Sequence, residues 1–164
     1  MDSNFFRKNA PEEQFDIRID RNGQWYHRES PIGRDKIAKL FSTVLHYDTK
    51  SNDYWLITPV EQGRINVEDV PYIITDFEIH NGTFTLSTNL GHIATANADN
   101  IILCRPDNGL PYIHVHNNVM ARLNRSAREK LINMALEQNG YDELSGELTL
   151  TIDGIKHGIA VNKP

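Results

Sequence analysis

Apolar and polar residues alternate strictly from Phe15 through Ile17 to Ile19, and the run ends at Asn22-Gly23 before Trp25-Tyr26. A period of two turns one face inward. Asn-Gly tolerates the positive φ of a tight reversal, so this segment predicts a β-hairpin. The period then changes. Ile37, Leu40, Phe41, Val44 and Leu45 recur at i, i+3, i+4, i+7 and i+8. Such a stripe predicts an amphipathic helix, with Ser30-Pro31 suited to open it. If the stripe is fully buried, Phe41→Ala costs about 3–5 kcal/mol.

Strands are expected over 54–58, 65–68 and 73–79, the last running through Asn81-Gly82 into 83–87 as a second hairpin. Further strands are expected over 92–97, 101–105, 112–116 and 119–123, the last three as an antiparallel meander. A second helix is predicted over 126–138, with Ser126 and Glu129 as a capping box. Ala127, Leu131, Met134 and Ala135 form its buried stripe, and Gly140 is placed to end it. Residues 148–155, with Asp153-Gly154 inside, predict a third hairpin.

Phe15-x-Ile17 ahead of Asn22-Gly23 echoes Phe77-x-Ile79 ahead of Asn81-Gly82, and each half supplies one helix. The pattern predicts an α+β protein, with antiparallel sheets and two amphipathic helices in two similar halves. Its expected divisions are a flexible tail over 1–13, an N-terminal half over 14–73 and a C-terminal half over 74–164.

Composition narrows the function. The chain has 164 residues, 39% hydrophobic and 24% charged, outside the low-hydrophobicity, high-charge regime of disorder. Its 17 basic against 22 acidic residues give a net charge of −5, which argues against a protein that binds nucleic acid by neutralising phosphates. The longest apolar run is Ile101-Ile102-Leu103-Cys104, far short of the roughly 20 residues of a membrane span. With one cysteine, no internal disulfide forms, and the start of the chain lacks a secretory pattern. A cytoplasmic protein that touches neither membrane nor nucleic acid is expected.

No G-x-S-x-G, Walker, dinucleotide or H-E-x-x-H motif occurs, so no catalytic residue and no cofactor is assigned. On a strand His114 and His116 share a face, but two ligands are too few for a metal site, and none is assigned. Cys104 sits in an apolar run and reads as an inert buried thiol. Of the acidic residues Glu61, Glu68 and Asp69, the last suits a turn cap before Pro71, while Glu61 or Glu68 could pair with Arg122 or Arg125, which lie beside the predicted second helix. There the free N–H groups favour anions.

Several blocks resemble the bacterial domain of unknown function 1285 family. They are Ile32-Gly33-Arg34 with Leu40-Phe41-Ser42-Thr43-Val44-Leu45, Thr58-Pro59-Val60-Glu61, Ile65-Asn66-Val67-Glu68-Asp69-Val70-Pro71-Tyr72, Ser87-Thr88-Asn89, and Ala121-Arg122 with Arg125. The resemblance spans about residues 15–137. It implies a small cytoplasmic α+β protein with related halves and a suggested regulatory or signalling role, and it supplies no catalytic residue. Motif positions Glu61, Glu68, Asp69, Asn89, Arg122 and Arg125 are the ligand-binding candidates, expected near the junction of the halves. The expected function is a non-enzymatic module recognising a small anionic ligand or a protein partner, and the reading also allows a homodimer. The alternative is a hydrolase using Glu61, Glu68 and Asp69, or a metal at His114 and His116.

Overall fold

The computed structural model describes Phe6 and residues 11–162. Of the expected tail, residues 1–5 and 7–10 lie outside the described residues, and Glu12 and Glu13 already belong to the first strand. The chain separates into two compact units, one holding residues 1–71 with the turn 116–119, the other residues 72–115 and 120–164.

The first unit runs β1 (Glu12–Ile19), β2 (Trp25–His27), β3 (Ser30–Pro31), α1 (Asp35–Ser42), β4 (Leu45–Asp48), β5 (Asp53–Ile57) and β6 (Gln62–Val67). Its sheet has the order β3-β2-β1-β6-β5-β4. Two three-stranded antiparallel meanders thus meet along one parallel pair, β1 with β6. The second sheet is built from β7 (Tyr72–His80), β8 (Thr83–Thr88), β9 (Ile93–Ala96), β10 (Leu103–Cys104), β11 (Pro111–His116) and β12 (Val119–Leu123). Its order is β10-β11-β12-β7-β8-β9, and again the first and last strands, β7 and β12, pair in parallel. The two sheets have the same topology, so the echo between Phe15-x-Ile17 and Phe77-x-Ile79 falls on equivalent first strands. The fold is α+β with two similar six-stranded sheets. Both sheets are mixed rather than purely antiparallel, because alternation along a strand fixes its inner face and not the direction of its neighbour. The second unit continues with α2 (Arg125–Glu137), β13 (Glu147–Ile152) and β14 (Ile155–Val161).

The hairpins form where their turn residues demand. Asn81 and Gly82, and Asp153 and Gly154, all take positive φ, as a two-residue type I′ turn requires. The first reversal is looser. Only Gly23 is left-handed there, and the Asp20 carboxylate caps the loop by accepting from the Asn22 and Gln24 amides at 2.9 and 3.0 Å. One tight turn carries no sequence signature. Arg28 and Glu29 join β2 to β3 with φ of 51° and 62°, a conformation that costs a non-glycine residue roughly 1 kcal/mol or more.

Both helices correct the expectation in instructive ways. Ser30 and Pro31 form β3, and α1 starts at Asp35 behind an extended Arg34 that offers no side-chain cap. The helix ends at Ser42, while Leu45 opens β4. It is Ala38 and Ser42 that are buried, whereas Leu40 is 66% exposed and Ile37 39%. Phe41 is half-buried, its ring stacked 6.3 Å from Trp25. Helix α2 is capped by Asn124 rather than Ser126. The Asn124 side chain accepts from the Ala127 amide at 2.8 Å, and its own N–H donates to the Ile74 carbonyl at 3.0 Å. Ala127, Leu131 and Ala135 are buried as expected, with Met134 half-buried. Asn139 takes the left-handed conformation after the helix, and Gly140 is required because the Thr149 carbonyl occupies the space a Cβ would fill.

The core of the second unit closes around Tyr72, Phe84, Tyr112, Leu131 and Leu150, all fully buried. Tyr112 therefore faces inward, although His114 two residues on is exposed. A buried histidine sits in this core: His157 Nδ1 accepts from the Ile102 amide at 3.1 Å, and its ring meets Phe84 edge-on at 5.5 Å. Among the described residues, no helix is long and apolar enough to cross a membrane.

Two predictions follow from these environments. Because Leu40 is exposed, Leu40→Gln should change the urea-unfolding free energy by no more than about 0.5 kcal/mol. Half-buried Phe41→Ala should cost only about 1–2 kcal/mol, since part of its area is already wet. The second concerns pH. Burial pushes the His157 pKa below its ordinary 6.5, so below that pH the unfolded chain takes up a proton that the folded chain refuses. Stability should hold steady above pH 7 and fall as the pH drops through 6.5 towards the folded pKa. Urea midpoints of the wild type and of His157→Gln across pH 5–8 check it, the variant losing most of that slope.

Candidate functional site

In the first unit the parallel ladder between β1 and β6 breaks. Gln14 lies opposite Arg64 and Arg18 opposite Asn66, so three residues of β1 face the single Ile65 between them. The extra length bulges Phe15, Asp16 and Ile17 out of register, a local irregularity of the kind that re-aims side chains beside binding sites. Gly63 makes the bulge fit: a Cβ there would come within 2.5 Å of the Phe15 ring.

The displaced segment forms one wall of a concavity of about 440 Å³. Phe15 and Ile17 of β1, Phe41 at the end of α1, Val44 and Leu56 of β5 give it an apolar lining. Gln14, Asp16, His27, Arg28, Thr58 and Glu61 supply the polar rim. Volume and lining match the usual small-molecule site, apolar walls with a few polar groups. The same segments also carry exposed apolar side chains outside the groove, Leu40 on α1 and Val60 in the β5–β6 turn. The turn itself is fixed by Thr58, whose Oγ1 accepts from the Val60 and Glu61 amides at 3.3 and 3.0 Å.

The strained Arg28-Glu29 turn is held from behind. Glu29 accepts from the Arg18 Nε and Nη2 groups, the shorter contact being 3.0 Å. Arg18 Nη1 also donates to Glu68 at 2.8 Å, and its guanidinium lies 4.1 Å from the centre of the Tyr26 ring. Glu68 in turn accepts from the Arg21 amide at 2.8 Å. The Arg28 N–H donates to the Asp16 carbonyl at 3.0 Å, placing both residues on the groove's edge.

The sequence candidates occupy several settings. Glu61 is on the groove rim. Glu68 borders a separate concavity of about 250 Å³ with Arg18, Asp53 and Tyr54, and its partners are Arg18 and Arg21. Asp69 is half-buried. In the second unit, Asn89 is structural, its Oδ1 accepting from the Ile73 amide at 3.1 Å and its N–H donating to the Ile73 carbonyl at 2.8 Å. Arg122 lies half-buried on β12. Arg125 pairs with Glu129 one turn along α2 at 2.9 Å. Phe15, Asp16, Ile17, His27, Arg28, Phe41, Val44 and Leu56 were not among the candidates. The signals that could have found them are Gly63, which has no turn to serve, and an apolar helix stripe longer than its helix.

Other chemistry is poorly placed. The Cys104 thiol is half-buried, and burial with the charge of Glu147 pushes its pKa up to about 11, so little of it is thiolate at neutral pH. His114 is exposed and His116 half-buried on β11. Among the described residues no three His, Cys, Asp or Glu side chains gather as a metal site would require.

Gly63→Ala tests the geometry of the floor. It should push the Phe15 ring from its place and cost about 1–3 kcal/mol in urea unfolding, the usual range for overpacking.

Comparison with known proteins places this arrangement among relatives. Residues 8–70 match the family model for the N-terminal domain of the domain of unknown function DUF1285, and residues 71–154 match its C-terminal domain. A DUF1285 family protein from Silicibacter pomeroyi DSS-3 superposes with a TM-score of 0.76 at 28% identity, over 93% of this chain and 84% of that one. A second, from Shewanella baltica OS155, gives 0.61 at 28% identity over 72% and 91%. No curated protein matches the chain.

Proposed function

The chain belongs to the DUF1285 family, and we propose that it is a non-catalytic regulatory module whose first unit binds a small molecule with an apolar body. The observation that carries this reading is the groove of about 440 Å³ opened by the β1 bulge, with Phe15, Ile17, Phe41, Val44 and Leu56 in its lining. An apolar concavity left open to water costs free energy that an apolar ligand recovers. The raised pKa of Cys104 also disfavours a nucleophilic enzyme. Ligand occupancy, rather than turnover, is then the output of the module. Of the sequence candidates, Glu61 belongs to this reading as a rim group, while Glu68 acts behind it through Arg18 and Glu29.

Thermal unfolding in the presence of a panel of small aromatic and branched aliphatic amino acids, amines and acids tests the proposal. At least one compound at saturating concentration should raise the midpoint by several degrees, the scale expected when ligand greatly exceeds its dissociation constant. Gly63→Ala should abolish that shift and Arg122→Ala should leave it intact. A shift lost in Arg122→Ala but kept in Gly63→Ala would assign binding to the second unit, and a panel without a hit would remove the groove reading.

A further inference from the structure

We infer that the groove selects a zwitterion: an apolar molecule carrying both an ammonium and a carboxylate, of the size of a large apolar amino acid or a dipeptide. This deepens the ligand-binding reading and rests on it. Around one apolar floor stand Asp16, Glu61 and Arg28. Among the described residues none of the three side chains makes a hydrogen bond or ion pair, although the Arg28 N–H reaches the Asp16 carbonyl at 3.0 Å. Arg28 is held at the rim by a left-handed turn with φ of 51°, and its neighbour Glu29 is clamped by Arg18. The fold thus maintains an unfavourable backbone conformation at the residue that brings the positive charge to the groove.

Charge complementarity decides the class of ligand. A simple acyl or aromatic acid would find Arg28 but would meet two carboxylates of its own sign. A simple amine would find Asp16 and Glu61 but would meet Arg28. A molecule with both charges on an apolar body answers both signs while its side chain lies on Phe15 and Phe41. A volume of about 440 Å³ suits such a molecule and sits at the lower end of small-molecule sites.

The experiment is a calorimetric comparison of three probes: the dipeptide Leu-Phe, phenethylamine as a purely cationic aromatic fragment and 3-phenylpropanoate as a purely anionic one. Wild-type protein should bind the dipeptide at least about tenfold more tightly than either fragment, one charge contact being worth about 1.4 kcal/mol on that scale. Arg28→Gln should bring the dipeptide to the level of phenethylamine without weakening the amine. The Asp16→Asn, Glu61→Gln double variant should do the converse with the acid. All three side chains are exposed, so the variants should unfold at the wild-type temperature. A fragment that binds as tightly as the dipeptide, or variants that weaken all probes equally, would overturn the zwitterion assignment and leave the groove reading standing. No binding by any probe, together with no hit in the thermal panel, would overturn both.

Discussion

In the first unit everything of functional interest depends on how β1 meets β6. Here two meanders share one sheet by setting their first and last strands side by side in parallel, and a parallel pair has no turn to set its register. Here the register breaks, with three residues of β1 against Ile65. The break survives because Gly63 yields its side-chain space to the Phe15 ring. Without that accommodation Phe15 has no seat, Asp16 and Ile17 return to the ladder, and the groove closes into ordinary sheet surface. The second sheet repeats the topology, with Tyr72, Ile73 and Ile74 of β7 opposite Ala121, Arg122 and Leu123 of β12 in unbroken register. The sheets differ in where a first strand breaks step: β1 does so against its parallel neighbour β6, whereas β7 does so against the antiparallel β8, between Ile74 and Asp76.

The polar groups near the groove form two layers. Arg18 joins Glu29 to Glu68 and lies over Tyr26, which links the β2–β3 turn to the end of β6. Glu29 and Glu68 are exposed and Arg18 half-buried, and such pairs at the surface contribute little to global stability. Their effect is positional: they constrain a left-handed Arg-Glu turn that few sequences would adopt unaided. The motif carboxylate Glu68 thereby acts on the rim from outside the groove.

Much of the fold was legible because hairpins declare themselves. Asn81-Gly82 and Asp153-Gly154 lie between alternating runs, and the echo between Phe15-x-Ile17 and Phe77-x-Ile79 marks equivalent strands. The misreadings have physical causes. Periodicity reports that one face of α1 is apolar but not whether anything covers it, and Val44 in the following turn and Leu45 at the start of β4 extended the stripe beyond the helix. Asn124 and Ser126 are both good caps, and the choice was made by the bond from Asn124 to Ile74, fifty residues away in sequence. The site was less legible. Glu68 stands out in the sequence, but its partners Arg18 and Arg21 come from the opposite end of the unit, and the bulge leaves no trace in the alternation of β1. In the first unit, Gly63 inside β6 is the residue that points to it.

The binding proposed over the Phe15–Ile17 bulge is read most directly by amide NMR of the isotope-labelled protein during titration with Leu-Phe. Progressive shifts should cluster at residues 14–17, 27–28, 41–44 and 56–61, with the amides of 121–129 unmoved. Shifts concentrated around Arg122 and Arg125, or a spectrum unchanged at millimolar dipeptide, would contradict it.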